Sequence, residues 1–492
     1  MKSNIKSKSF LIYMSLLLII LFILFNTAIY TRVPKLSILF IIGILIAFIL
    51  TIHLIGNSIA KNFIILVISY GIIMIILLPF ANPLDEITHF KRAVNVSDNN
   101  LFLVHQNNKI GAYLPENIDS VTVMIPLSRE ISEFSSQKIS NNYKFLSDEI
   151  KFTNPYSFSL YLPMATGIKT ARVFSNKLIY SIYMGRLFNL LAYSVFMYFA
   201  IILIPLRKIT MSIIALAPVQ FLLSSSYSVD GIALGSICLF ISYLLRLKSN
   251  ERINIKESIL LILFAFLVIT CKSISYMPIL LLVFLLRKDQ FKNIKHYYVT
   301  IGCGLLISLI YIIATLKLLG SGITDNRAMI GTDSTLQIAY ILHHPFNMLL
   351  VFSNTLYLHI VPFLTAASNS FCYNEILSLG TNILLIIVLI LDNRESIKFN
   401  KIDRRISVFS IIMTVIFIML PLYLGFTPVG KNLINGVQGR YFIPIVLISA
   451  ILLLKTNIKN DIKYFVEKVM YFQSFLMAYS LILIVFKYYM NI

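Results

Sequence analysis

The chain has 492 residues, of which 58% are hydrophobic and only 13% charged. A soluble globular domain carries about 25% charged residues and cannot bury so much apolar surface. The net charge of +21 would suggest a nucleic-acid partner in a soluble protein, but here the basic residues sort by position. Lys2 to Lys8, Lys61, Arg207-Lys208, Arg246 to Lys256, Arg287 to Lys295, Arg394 to Arg405 and Lys455 to Lys468 hold 23 of the 42 Lys and Arg residues, whereas positions 82–153 hold seven basic and nine acidic ones. Lys and Arg collect on the cytoplasmic side of short loops. The charge is therefore a membrane address, with the N-terminus cytoplasmic, and not a nucleic-acid footprint.

Apolar stretches of about 20 residues, matching a bilayer core of about 30 Å, recur in chain order. The first, near 10–30, lacks a small-residue cleavage site and is followed by more spans, which predicts a retained helix rather than a signal peptide. Spans near 36–55 and 63–81 complete an N-terminal group of three (1–81). A polar loop over 82–157 then lies outside. Its Ser/Asn-rich stretch at Ser135 to Asn142 predicts a mobile or partly helical excursion. The remaining region, 158–492, carries spans near 178–204, 209–225, 228–247, 257–275, 276–286, 298–319, 375–391, 405–424, 440–454 and 469–488. The hydrophobic stretch 344–367 is predicted to be re-entrant or to lie on the outer face. A full crossing would put the basic segment Asp392 to Arg405 outside, against the charge rule. The expected class is an all-α polytopic membrane protein of about 12–14 transmembrane helices with one long extracytoplasmic loop. Cys238, Cys271 and Cys303 fall in apolar segments and only Cys372 should face outward, so no structural disulfide is expected.

Chemistry concentrates where the third span leaves the membrane, in Asn82-Pro83-Leu84-Asp85-Glu86-Ile87-Thr88-His89-Phe90-Lys91-Arg92-Ala93. Pro83 suits the first turn of a helix, and the acids after it suit the positive helix end. On that helix Asp85, His89 and Arg92 share a face at i, i+4 and i+7, with Glu86 on its flank. The set could deprotonate a hydroxyl and hold an anion, or it could be a self-paired amphipathic helix start. Four more ionisable groups, Arg186, Asp230, Lys272 and Arg440, sit where burial in lipid is costly, and such groups often mark a substrate path. Singly, each could snorkel to the interface, or Arg186 could pair with Asp230. Jointly they converge on the outer leaflet beside Asp85. Such a layer suits a substrate with a lipid tail and a phosphate: a carboxylate acts as general base while cations, or Mg2+ or Mn2+ held by Asp85 and Glu86, stabilise the leaving phosphate.

These residues resemble the Pro-x-Asp-Glu-x-x-His-x-x-Arg-Ala signature of a bacterial family of predicted multi-pass membrane proteins, domain of unknown function 2142. The likeness continues in family order through Asn154-Pro155 to Tyr161-Leu162-Pro163, Gly185-Arg186-Leu187-Phe188-Asn189, Ala217-Pro218-Val219-Gln220 to Ser228-Val229-Asp230, and Gly439-Arg440-Tyr441-Phe442-Ile443-Pro444. One departure stands out: the usual Gly-Trp element is absent from a chain that has no Trp.

The family in turn resembles membrane glycosyltransferases of the GT-C fold, which take sugar from a polyprenyl-phosphate carrier on the non-cytoplasmic side. The resemblance implies that Asp85 is the catalytic base and Glu86 a metal ligand or second carboxylate. His89, Arg92, Arg186 and Arg440 would then contact donor phosphate or sugar. The expected partners are a polyprenyl-phosphate-linked sugar and a cell-surface glycan acceptor such as a teichoic acid, in the bacterial plasma membrane. A flippase or transporter of lipid-linked saccharides is the alternative, but it calls for repeated halves or polar groups through the membrane depth. A polymerase or ligase with an oligosaccharide donor is a near neighbour, and a scaffold without chemistry the plainest reading.

Overall fold

The computed structural model describes residues 11–19, 21, 35–81, 85–107, 109–119, 137–147, 150–154, 156–272, 274–319, 331–364, 374–392, 397–455, 458 and 460–490. Residues 11–19 are helical. After them come α1 (Lys35–Leu54), α2 (Ile59–Leu77), α3 (Glu86–Ser97), β1 (Val104–Gln106), β2 (Lys109–Pro115) and β3 (Tyr143–Leu146). The helices that follow are α4 (Leu162–Phe174), α5 (Leu178–Leu203), α6 (Lys208–Ala215), α7 (Pro218–Ser224), α8 (Asp230–Ser249), α9 (Ile255–Thr270) and α10 (Ile294–Leu319). The last are α11 (Ser334–His343), α12 (Pro345–Leu364), α13 (Glu375–Leu391), α14 (Lys401–Phe426), α15 (Ile443–Leu452) and α16 (Phe465–Tyr489).

This is an all-α polytopic membrane protein. Among the described residues seven helices are long and apolar enough to cross a bilayer: Ser37–Leu54, α2, α5, α8, Ile294–Tyr311, α14 and α16. Of the other expected spans, 10–30 lies partly outside the described residues, α9, α13 and α15 are shorter, and two are broken for visible reasons. The stretch 209–225 is split into α6 and α7, with Pro218 at the start of the second piece. The stretch 276–286 is a 3-10 helix, Met277–Leu285, opened by Pro278. Segment 345–364, expected to be re-entrant or superficial, is one helix, whose Thr355 hydroxyl accepts from the Ile434 backbone N–H at 3.1 Å.

Large apolar side chains stand exposed on the peripheral helices, among them Leu39 and Leu50 on α1, Val195 and Phe199 on α5, and Leu306 and Ile310 on α10. Water would not tolerate that surface, but lipid does. Helices α8 and α16 are by contrast buried over most of their length. Polar contacts join spans where the hydrophobic effect cannot. The hydroxyls of Thr51, Tyr70 and Ser474 lie 2.7–3.2 Å apart and bind α1, α2 and α16.

Helix ends far from the Asp85 region gather the basic residues. There Arg207 donates to the carbonyls of Leu389 and Leu454 at 2.9 and 2.8 Å, and Lys248 pairs with Asp403 at 3.0 Å. Asn400 and Asn254 close capping boxes that start α14 and α9 at this same end.

The polar loop is folded. Strands β1, β2 and β3 form an antiparallel sheet in that order, with Ala112 opposite Leu146 and Tyr113 opposite Phe145. The expected excursion at Ser135 to Asn142 is not helical where described. Its Gln137 and Ile139 instead bond to Leu178 and Asn176 beside α5. Ser135 and Ser136, the Pro83 helix-start position, Arg394 and Cys372 lie outside the described residues.

Candidate active site

Helix α2 ends at Leu77, and the chain must reverse to begin α3. It does so with two non-glycine residues in the left-handed region, Ala81 and Asp85, each at φ 63°. Asp85 therefore precedes α3 and makes no side-chain cap bond, while Glu86 is the first helical residue. The expected shared face of Asp85, His89, Arg92 and flanking Glu86 is split by this geometry.

Glu86 turns inward and is buried. Its Oε1 accepts from Arg186 Nε at 2.9 Å and from the Tyr227 backbone N–H at 2.9 Å. Its Oε2 accepts from Arg186 Nη2 at 2.7 Å and from the Ala81 N–H at 2.9 Å. Arg186, nearly absent from the surface, reaches on to the carbonyls of Ile75, Leu78 and Pro79. Those are the orphan acceptors at the negative end of α2, where a guanidinium is favoured. The pairing of Arg186 with Asp230 considered from sequence does not occur; the partner is Glu86.

Asn189, one turn along α5, donates from Nδ2 to the carbonyls of Ser226 and Ser228 at 2.8 and 3.1 Å and so fixes the serine turn that leads to Asp230. The fit is tight: a Cβ on Gly185 would overlap the Tyr227 hydroxyl, itself bonded to the Ser181 carbonyl at 2.7 Å.

Four charges meet beside this clamp. Arg440 Nη2 lies 2.9 Å from Asp85 Oδ2, and Arg440 Nε lies 3.2 Å from Asp230 Oδ2. Lys272 Nζ lies 2.5 Å from Asp230 Oδ1 and 3.9 Å from the centre of the Tyr441 ring. Lys272 is also left-handed, at φ 44°, which bends the chain after α9 back toward α8. The C-terminal ends of α2 and α9, the N-terminal end of α8 and the turn Gly439–Phe442 thus converge. Arg440, Asp230 and Lys272 are 8 to 11% exposed at their side chains, Asp85 is 54% exposed, and that contrast separates a fixed floor from an accessible carboxylate.

Aromatic residues line the layer. His89 Nδ1 lies 2.9 Å from the Tyr161 hydroxyl, and its ring meets Tyr156 edge-on. Burial lowers the His89 pKa to about 4, opposed by the neighbouring Asp85 and Asp230 carboxylates and assisted by Arg440 and Lys272, so the imidazole is neutral. Burial raises Tyr156 and Tyr161, which keep their protons. The Tyr276 hydroxyl donates to the Tyr441 carbonyl at 3.1 Å. Sequence reading passed over these tyrosines, although Tyr161 and Tyr441 stand inside the Tyr-Leu-Pro and Gly-Arg-Tyr-Phe segments.

Arg92 is placed differently from expectation. Its guanidinium donates to the carbonyls of Asn100 and Leu101, the latter at 2.6 Å, and so holds the start of the outer loop against α3. Nor is Glu86 free to hold the metal expected of it from sequence. All the ready acceptor positions of its carboxylate are occupied by N–H donors, and among the described residues no group of three His, Cys, Asp or Glu side chains gathers. What the arrangement supplies is an accessible carboxylate, two partly buried cations and a neutral imidazole.

A family described as a predicted membrane protein (DUF2142) matches residues 68–449, and the chain belongs to it. That range contains Asp85, Glu86, Arg186, Asp230, Lys272 and Arg440. No curated protein and no solved structure matches the chain.

Proposed function

We propose that this member of the family is a GT-C-like integral membrane glycosyltransferase acting at the extracytoplasmic face of a bacterial plasma membrane. Sugar moves from a polyprenyl-phosphate donor to a hydroxyl of a cell-surface polysaccharide or teichoic-acid-type acceptor. The observation that supports the reading is the layer in which accessible Asp85 adjoins Arg440 and Lys272 at one common end of the helices. That end is opposite the basic helix ends that the charge rule assigns to the cytoplasm.

Asp85 takes the acceptor hydroxyl proton as the acceptor oxygen bonds to the sugar carbon. The sugar–phosphate bond breaks with its electron pair leaving on phosphate, so a single displacement inverts the sugar carbon. Arg440 and Lys272 stabilise the charge that develops on the phosphate, which a preorganised, water-poor site does well. In this scheme Glu86 and Arg186 position Asp85 and touch no substrate.

The test is Asp85→Asn in the native strain, with the sugar composition of the surface polymer compared with the parent. Loss of one sugar at normal protein level is expected. An unchanged glycan at normal level removes Asp85 as the base, and transport of unmodified lipid-linked saccharide by the same protein would replace transfer with flipping.

A further inference from the structure

We propose that the Asp85 carboxylate is a resident stand-in on Arg440, and that the phosphate of the substrate displaces it, taking the Arg440–Lys272 seat and releasing Asp85 to act. This rests on the reading of the layer as a phosphate-handling site and adds an order to it: the anion binds first, and only then is the base free.

The two carboxylates on Arg440 are unequal. Asp230 is held from two sides, by Lys272 at 2.5 Å and Arg440 at 3.2 Å, and is nearly buried. Among the described residues Asp85 has one ion-pair partner, and its side chain is more than half exposed. An ion pair with one solvated partner is weak and exchanges easily, whereas a buried pair broken on one side leaves an uncompensated charge.

The backbone of Asp85 need not move for the exchange. Its carbonyl accepts the His89 N–H at 3.0 Å, and the adjoining Glu86 is locked by Arg186. Only side-chain torsions separate the paired carboxylate from a free one.

Within the layer the charges balance, two carboxylates against one guanidinium and one ammonium. The phosphodiester of an incoming donor, with its one negative charge, therefore unbalances it unless one carboxylate withdraws, and Asp85 is the one able to withdraw. Arg440 offers phosphate a planar fork, and Lys272 a point charge beside the Tyr441 face. Among the described residues the groups facing Asp85 from the surrounding elements are Arg440, His89, Tyr156 and Tyr161; of these only Arg440 is a cation paired with it, and Lys272 is paired with Asp230 instead.

The experiment is direct binding to the purified full-length chain in detergent, with two probes: inorganic phosphate and farnesyl phosphate. If Asp85 competes for Arg440, Asp85→Asn binds both probes more tightly, by about two- to fivefold, the release of one exposed ion pair. Arg440→Gln loses most of the binding and Arg440→Lys keeps part of it. Tighter binding of farnesyl phosphate than of inorganic phosphate by the parent chain assigns the seat to a lipid headgroup, and equal binding of the two assigns it to a free anion.

Unchanged or weaker binding by Asp85→Asn overturns the displacement while leaving the transferase reading standing. Binding indifferent to both Arg440 variants overturns the seat itself. If Asp85→Asn tightens binding and the surface glycan is nevertheless normal, the displacement holds and the transferase reading falls.

Discussion

Arg186 uses all five of its N–H donors, two on the Glu86 carboxylate and three on the carbonyls that end α2. Removing either partner leaves a buried charge without its counterion. Glu86→Ala and Arg186→Ala should each destabilise the protein by about 3–5 kcal/mol, read as thermal unfolding in detergent. Asp85→Asn should unfold within about 0.5 kcal/mol of the parent, as an exposed substitution does. Equal losses at positions 85 and 86 would dissolve the division between the clamp and the reactive layer.

Lys272 is the second cation of the layer. Lys272→Met should lower sugar transfer about 100- to 1,000-fold, the usual effect of removing one preorganised donor from a developing anion. Lys272→Arg should retain more. Transfer unaffected by Lys272→Met would leave Arg440 as the sole cation that matters.

His89 gives the layer a pH signature. Its folded pKa lies near 4 because of burial, below the unfolded value of about 6.5. Between these values the unfolded chain binds the proton and the folded chain does not. The neutral imidazole thus contributes stability that is fully present above pH 6.5 and lost as pH falls toward 4. His89→Gln should flatten the unfolding profile across that window. A parent profile already flat there would mean that the ring is solvated.

Gly185 packs where no Cβ fits, against the Tyr227 hydroxyl, and Gly167 packs against the Met184 backbone carbonyl. Gly185→Ala should cost about 1–3 kcal/mol through overpacking and should depress activity by shifting the serine turn before Asp230. Gly43→Ala, which meets nothing within 4 Å, is the control. Similar melting of the two variants would count against the close packing of Tyr227.

Orientation can be read by labelling. In a chain whose native cysteines are replaced, Phe174→Cys, at the exposed end of α4, should react with an impermeant maleimide on intact cells. Arg252→Cys, at the basic end, should react only after permeabilisation. The reverse result would turn the site toward the cytoplasm and remove the surface-polymer acceptor.

The spans were legible in sequence because lipid demands long apolar runs, and charge asymmetry ordered them. Pro218 and Pro278 show where that reading loses accuracy, since hydropathy is blind to a backbone break inside an apolar run. At the site, Asp85, Asp230, Lys272 and Arg440 were legible because an ionisable group at a span end needs a reason to be there. Their partners were not. Glu86 and Arg186 are 100 residues apart, and helical spacing says nothing about contacts between helices. Two left-handed residues at the reversal after α2 rotate Asp85 away from Glu86, and neither Ala81 nor Asp85 announces that conformation. Tyr156 and Tyr161 were hidden for a different reason: tyrosine is ordinary at a membrane interface.

The left-handed backbone at Ala81, Asp85 and Lys272 bears on how the protein should be dissected. Asp and Asn adopt that region far more readily than alanine does, and an L-residue without such a side chain gives up about 1–2 kcal/mol there. An alanine scan across positions 81–92 and 272 would therefore mix lost chemistry with a distorted chain reversal, scoring position 85 as structural and position 81 as inert. Amide isosteres at 85, and glycine or asparagine at 272, keep the two effects apart.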